Sequence, residues 1–63
     1  MIEKKQYNAY ILYDRYKILI PDIHSYIKHP KCVEIKFRDE FQKRFQFNKG
    51  FRGFFVDVEI KNE

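Results

Sequence analysis

Residues 54–61, with the sequence FFVDVEIK, decide the fold class of this chain because they hold its clearest structural pattern. Apolar residues at positions 54, 56, 58 and 60 alternate with Phe55 and three charged residues, which is the period of a strand with one covered face. A shorter stretch, Cys32–Phe37 (CVEIKF), shows the same alternation upstream. Both stretches predict strands of one antiparallel sheet, and the cleaner alternation of residues 54–61 predicts that this strand is central.

The N-terminal third adds two more strands to this expectation. Residues 7–20 (YNAYILYDRYKILI) are rich in Tyr, Ile and Leu, and aromatic and β-branched types are favoured in strands. We predict strands at residues 6–13 and 16–20, joined at Asp14 and Arg15. The joint lacks the Gly or Asn of a tight hairpin turn, so a single helix over residues 5–19, ended by Pro21, stays open as the alternative.

Two further segments favour helix. In residues 21–30 (PDIHSYIKHP), apolar residues at 23, 26 and 27 have the i, i+3, i+4 spacing of one helical face. In residues 38–53, phenylalanines at 41 and 45 continue the spacing of four from position 37, which slightly favours a helix over two strands with a turn at 48–50. The predicted fold class is therefore α+β: a single small antiparallel-dominated sheet of three to five strands with one or two short helices.

Length and composition limit the class of protein further. Residues 1–63 leave room for one small globular domain only. The single cysteine, Cys32, excludes an intrachain disulfide, and no paired-cysteine spacing predicts structural zinc. Apolar runs fall far short of the ~20 residues of a membrane span, and the N-terminus lacks the apolar region of a secretory leader. We expect a cytoplasmic protein with no membrane partner.

Positive charge and aromatic rings coincide in residues 36–52. This segment holds six Lys or Arg against two acids and five of the twelve aromatic residues, whereas the remaining residues balance to zero charge. Cations bind phosphates and flat rings stack on bases, so the segment extended to residue 55 is a candidate nucleic-acid surface. Its candidate contacts are Lys43, Arg44, Lys49, Phe51, Arg52 and Phe55.

Within this segment, residues 48–56 (NKGFRGFFV) resemble the glycine–aromatic octapeptide of RNA-recognition motifs and cold-shock domains. The resemblance covers nine of the 63 residues. It implies that Phe51 and Phe55 are stacking rings and that Lys49 and Arg52 contact phosphates. Arg52 is an extra residue relative to the family pattern and reverses the strand parity of the residues before it. The alternative is a turn that leads into a core strand, with Phe54 buried and Phe55 partly exposed.

Metal binding and catalysis find little support in the sequence. Asp22, His24, His29 and Cys32 are ligand types close in sequence, but they lack the spacing of a structural zinc site. No nucleophile elbow, phosphate loop or paired-carboxylate pattern occurs. We therefore expect no enzyme activity, no catalytic residues, no metal and no cofactor.

Tyrosines crowd the first segment, and a chain this small cannot bury all of them. Exposed tyrosine is typical of protein interfaces, which makes Tyr7, Tyr10, Tyr13 and Phe55 the candidate interface residues. We expect a small accessory or regulatory protein that binds another protein, of the kind that phages and plasmids carry. A small basic nucleic-acid-binding protein is the alternative. We also expect a homodimer, paired along an edge strand within residues 7–13.

Overall fold

The computed structural model describes residues 3–62, which form a single five-stranded antiparallel sheet. The strands are β1 (Glu3–Tyr13), β2 (Lys17–Lys28), β3 (Cys32–Phe37), β4 (Gln42–Gln46) and β5 (Phe51–Asn62). This part of the chain contains no helix, and hence no helix long and apolar enough to cross a membrane. The expected α+β class is wrong, because the described chain is all-β.

The strand order in the sheet is β4-β3-β2-β1-β5. Successive hairpins join β1 to β4, and the last connection crosses the sheet so that β5 pairs antiparallel with β1. The strand predicted at residues 54–61 is present, but it lies at the edge and not at the centre. Alternation indicates that one face of a strand is covered, but it does not indicate whether the strand pairs with one neighbouring strand or with two. The predicted edge at residues 7–13 is also wrong, since β1 lies between β2 and β5.

The helix predicted at residues 21–30 is wrong because a bulged strand imitates helical spacing. Ile23 pairs with Phe37 and Ser25 with Lys36, so β2 carries one extra residue, His24, at this point. The bulge turns Ile23 and Tyr26, three residues apart, to the same face of the sheet. The i, i+3 spacing that predicted a helical face therefore arises because the bulge reverses which residues of β2 face the core.

The helix that the sequence slightly favours within residues 38–53 is absent, because β3 and β4 form a hairpin there. A tight turn follows β3, with hydrogen bonds from the Glu40 backbone nitrogen to the Phe37 oxygen and from the Phe37 nitrogen to the Phe41 oxygen. Glu40 adopts a positive φ of 70° within this turn. The spacing of four arises because Phe37 and Phe45 flank the turn on neighbouring strands, with Phe41 inside it.

A second bulge bends β2 and changes its neighbour. Tyr7 of β1 pairs with Ile23 and Ala9 pairs with Ile20, so β2 carries an extra residue between these pairs. Asp22, at φ 57°, donates its backbone N–H to Asn8 Oδ1 at 2.9 Å. Beyond Ile23, β2 pairs with β3 alone. Because of the bend, the first half of β2 pairs with β1, the second half pairs with β3, and the two halves run in different directions.

Arg38 fixes this bend from the far end of β3. Its Nε donates to Asp22 Oδ1 at 2.8 Å, and its Nη2 donates to the backbone oxygen of Lys5 at 2.9 Å. The Arg38 guanidinium thus links the end of β3 to the bulge of β2 and to Lys5, in the part of β1 that no longer pairs with β2. A charge-assisted pair of this kind fixes geometry as well as contributing energy.

The core lies on the inner face of the bent sheet. Its fully buried members come from β1, β2 and β3: Ala9, Ile11, Tyr13, Ile20, Ile23, Val33 and Ile35. Partly buried side chains of both outermost strands, among them Phe45 and Phe54, pack against the same cluster. The rings of Tyr26 and Phe54, on strands that are not neighbours in the sheet, lie 5.1 Å apart. The sheet therefore curls on itself to cover its core without a second layer.

Tyr13 holds the curl closed at one end. Its hydroxyl donates to the backbone oxygen of Gln46 at 3.2 Å and accepts from the backbone nitrogen of Asn48 at 3.1 Å. The rings of Phe47 and Phe51 stack at 4.0 Å across the connection between β4 and β5. Gly50 turns this connection with a φ of 91°, and its carbonyl accepts a hydrogen bond from the Asp14 backbone nitrogen.

We expect opposite stability effects at two positive-φ positions of the turns. Gly50→Ala should destabilise the fold by about 1–2 kcal/mol, because a side chain is strained at this φ, and its Cβ would also lie 3.3 Å from Asp14 Oδ2. Glu40→Gly should stabilise by about 0.5 kcal/mol, as relief of left-handed strain exceeds the entropy cost of glycine. Urea unfolding measures both, and equal signs would contradict the assigned turns.

Candidate interaction surface

Three apolar side chains lie in one row on the outer face of the sheet, opposite the core. Tyr10 of β1 pairs with Leu19 of β2 on one side and with Phe55 of β5 on the other. We call these three residues the outer row. The Tyr10 and Phe55 rings stack at 5.2 Å with an interplanar angle of 26°. Leu19 is 67% exposed. Because of this cross-strand register, residues that are distant in the sequence form one apolar strip.

Gly53 lets the Phe55 ring lie flat against the strand. A Cβ at Gly53 would lie 2.8 and 2.9 Å from two atoms of that ring, closer than carbon atoms approach. The ring therefore covers the glycine backbone while it stacks on Tyr10. These two contacts restrain the orientation of the Phe55 ring within the outer row.

Basic side chains border the outer row. The Lys17 ammonium lies 5.2 Å from the centre of the Tyr10 ring, a cation–π geometry. Arg52 is the extra residue of a bulge in β5, where Leu12 pairs with Gly53 but Tyr13 pairs with Phe51. Its Nε donates to Asp14 Oδ1 in the turn between β1 and β2. Lys17 therefore leaves a positive charge beside the outer row, whereas Asp14 neutralises the charge of Arg52.

The outer row continues into an open groove beside the β3–β4 hairpin. This hairpin groove has a volume of about 660 Å³ and shares Leu19 with the row. Phe41, in the hairpin turn, is 59% exposed at the groove. The Lys43 ammonium, also at the groove, lies 5.1 Å from the centre of the Phe45 ring. Asp22, Arg38 and Asp39 also line the groove, so row and groove meet at Leu19 as one surface whose apolar centre is flanked by charges of both signs.

The structure separates the six candidate nucleic-acid contacts. Phe51 faces the core and stacks on Phe47, whereas Phe55 lies on the outer face. The bulge at Arg52 causes this difference, because an extra residue inverts the face of everything on one side of it. The two rings that the resemblance to RNA-binding octapeptides implies as a stacking pair therefore point to opposite sides of the sheet.

The remaining four candidates are basic residues in four different settings. Lys43 borders the hairpin groove, and Lys49 is exposed in the turn before β5. Arg44 and Arg52 pair with Glu34 and Asp14, respectively. With the Arg38–Asp22 pair, all three arginines of residues 36–52 have an acidic partner elsewhere in the chain. The charge excess seen in this stretch of sequence is largely neutralised across strands.

Two of the four candidate interface residues come together. Tyr10 and Phe55 form the stacked part of the outer row, while Tyr13 is buried in the core and Tyr7 lies on the inner face. Sequence reasoning missed Leu19 and Phe41. Leu19 sits in an unbroken apolar run, and only the pairing register reveals that its side chain faces outward. Phe41 was assigned to a helical face and lies in a turn.

A polar cluster occupies the outer face of the β3–β4 hairpin. Arg44 Nη2 donates to Glu34 Oε1 at 2.8 Å, and His29 Nε2 lies 3.6 Å from Glu34 Oε2, too far for a hydrogen bond. The hydrogen bond from Arg44, with a smaller effect of His29, lowers the pKa of the Glu34 carboxyl from its ordinary value of 4.5. Among residues 3–62 no three potential ligands converge on a metal position, so Asp22, His24, His29 and Cys32 form no such group.

Comparisons with protein-family models, curated proteins and solved structures give no match for this chain.

Gly53→Ala should displace Phe55 from Tyr10, because the new methyl group occupies the position of the ring. We expect altered ring-proton chemical shifts at both residues and a loss of about 1 kcal/mol of unfolding free energy. In a Phe55→Leu background the same change should cost less, since no ring covers the glycine. NMR and urea unfolding measure the two effects, and equal costs in both backgrounds would contradict the packing described.

Glu34 should make stability depend on acidity. Its pKa is lower in the folded chain than the unfolded value of 4.5, so its ion pair stabilises the fold above that pH and is lost as pH falls through the lowered pKa. Glu34→Gln should therefore flatten the decline of stability between about pH 6 and pH 3. Arg44→Met should flatten it as well, because it removes the principal cause of the lowered pKa. An unchanged decline in both variants would contradict this role.

Proposed function

We propose that this protein is a small non-enzymatic accessory or regulatory protein that binds another protein through the outer row and the hairpin groove. The observation that carries the proposal is the direct register of Leu19, Tyr10 and Phe55 across three strands on the outer face. Large apolar side chains aligned on a solvent-facing sheet surface are typical of binding sites when they are contiguous. Gly53 leaves room for the Phe55 ring to pack flat beside Tyr10, and this restraint on the ring lowers the entropy cost of binding.

The chemistry of the surface specifies the kind of partner. Leu19 and Phe41 are the exposed apolar anchors, and a partner would cover them with apolar side chains of its own. Lys17 beside the outer row favours an acidic residue there, whereas the groove, where Lys43 and Arg38 lie with Asp22 and Asp39, favours charges of both signs. The partner is therefore an apolar patch or segment with charged flanks, acidic where it meets Lys17. Cys32 as the single thiol is in keeping with the reducing cytoplasm as the place of action.

Nucleic acid is the competing ligand class, and the arginine pairs argue against it. Phosphate binding gains its energy from cations that exchange small counterions for phosphates. Arg38, Arg44 and Arg52 already donate to carboxylates of this chain, so binding phosphates would first disrupt intramolecular pairs. A protein partner that covers the outer row leaves these pairs intact.

Affinity capture from the producing cells, with and without nuclease, tests the proposal. The tagged protein should retain a protein partner after nuclease treatment, and that partner should then bind the purified protein directly. Leu19→Ser and Phe41→Ser should each weaken binding at least about tenfold, since exposed anchors of an interface typically contribute more than 1 kcal/mol. Isothermal titration calorimetry measures the affinities.

Ile27→Ser is the matched control for Leu19→Ser. Ile27 lies on the same strand with a similar exposure, 61%, but beyond the bend and away from the outer row. It should leave the affinity unchanged. Equal weakening by both variants would contradict the assigned surface, and loss of every partner on nuclease treatment would favour nucleic-acid binding instead.

A further inference from the structure

The apolar inner face of the sheet extends beyond the core that covers it. Tyr7, the last residue of β1 that pairs with β2, pairs with Val58 at the start of a ribbon in which β1 and β5 continue without β2, and Lys5 pairs with Ile60 within this ribbon. In this ribbon Tyr7 is 41% exposed, Val58 51% and Ile60 54%, whereas Ala9 and Ile11 on the same face are fully buried. The apolar alternation of β5 thus continues to Ile60, where residues 3–62 leave it about half exposed.

The dimensions of the molecule show the same excess. The radius of gyration is 12.9 Å, against roughly 10.6 Å for a compact domain of this length. The accessible surface is 5160 Å², roughly 750 Å² more than a compact 7.9 kDa monomer exposes. A standard interface buries about 800 Å² on each partner. The excess surface is thus comparable to one side of a protein interface.

Free strand edges differ in how well they are protected. β4 is short, and two of its five residues are Lys43 and Arg44, which discourages further pairing. On β1, the Lys5 carbonyl that faces away from β5 already accepts a hydrogen bond from Arg38. β5 pairs only with β1 within the described residues, and it runs for twelve residues without proline. Residues 56–62 lie beyond the bulge at Arg52 and carry charges of both signs, so this edge can pair with another strand where the two positive charges of β4 would repel one.

We propose that a second copy of this chain pairs along the free edge of β5, antiparallel and about a two-fold axis, to form a homodimer with a continuous ten-stranded sheet. Residues 56–62 of the two copies form the seam. Val58 of each copy faces Ile60 of the other on the inner face, which extends the apolar surface of each ribbon across the axis. The occupant is a second copy because β5 itself supplies the apolar alternation that the exposed face requires.

The charge pattern on the outer face and the length of the seam together select the register. When Val58 faces Ile60 of the other copy, Asp57 faces Lys61 twice by symmetry, and Glu59 faces its own copy at the axis. A shift that pairs Val58 with itself places Asp57 opposite Glu59 twice, which is repulsive. The opposite shift gives two Glu59–Lys61 pairs, but it places Val58 opposite Asn62 and shortens the seam from residues 56–62 to residues 58–62. The proposed register is therefore the longest one with two opposite-charge pairs.

Sedimentation equilibrium of the purified chain tests the dimer. The wild-type protein should change from 7.9 kDa to twice that mass as its concentration rises through the micromolar range. Val58→Lys, which introduces a charge at a half-exposed position of the seam, should weaken dimerisation at least about tenfold. Ile27→Lys introduces the same charge at an exposed position away from β5 and should not. A wild-type chain that stays at 7.9 kDa at millimolar concentration overturns the proposal.

Charge reversal tests the register without altering the apolar face. Asp57→Lys should weaken the dimer about tenfold, because two attractive pairs become repulsive, and adding Lys61→Asp should restore it. Glu59→Gln should strengthen the dimer. In a dimer mixed from labelled and unlabelled chains, NMR should detect Val58 methyl protons close to Ile60 of the other copy. Failure of the double reversal to restore pairing, or absence of that contact, overturns the seam.

Leu19→Ser separates this proposal from the proposed function. Leu19 lies on β2, two strands away from the seam, so its loss should leave the dimer intact while it weakens binding to a protein partner. A Leu19→Ser chain that no longer dimerises would overturn the β5 seam, because the outer row would then hold the two copies together.

Discussion

The bend of β2 at Asp22 is the constraint on which the rest of the structure depends. A single sheet has two faces and no second layer, so it forms a core only by curving until its own strands meet. β2 achieves this by leaving β1 after Ile23 and continuing along β3. Asn8 and Arg38 hold the bulge that makes the change of direction. Without it, the cluster around Ile11, Ile23 and Ile35 would lie in one plane, open to water.

The arginines illustrate why charge must be located in three dimensions before it suggests a ligand. Within residues 36–52 they form an obvious positive segment, and each is nevertheless paired with an acid from a different strand or turn. Exposed pairs of this kind contribute little stability individually. Their consequence is geometrical, since Arg38 fixes the bend and Arg52 fixes the bulge of β5 beside the turn at Asp14. The outer row and the hairpin groove are therefore better candidates for binding than these arginines.

Alternation correctly predicted the strands at β3 and β5, and composition predicted β1, whereas bulges explain where periodicity failed. His24 turns a strand into apparent helical spacing, and Arg52 sends Phe51 and Phe55 to opposite faces. Bulges depend on partner strands and local backbone geometry, so a periodicity within one strand cannot reveal them. The outer row has the same limitation. Tyr10 and Phe55 could be chosen as exposed aromatic residues, but their adjacency, and the place of Leu19 beside them, follow only from register.

The two faces of the sheet leave different surfaces uncovered, and this difference bears on what each can do. On the outer face, the Phe55 ring packs over Gly53 and stacks on Tyr10, so this part of the outer row offers a defined aromatic surface to a partner. On the inner face, Val58 and Ile60 continue a strand whose edge is free, so backbone hydrogen bonds are available as well as apolar contact. Strand addition uses both of these, and it is the form of association that such an edge favours. A chain this small can therefore use one face for recognition while the edge of β5 extends its sheet.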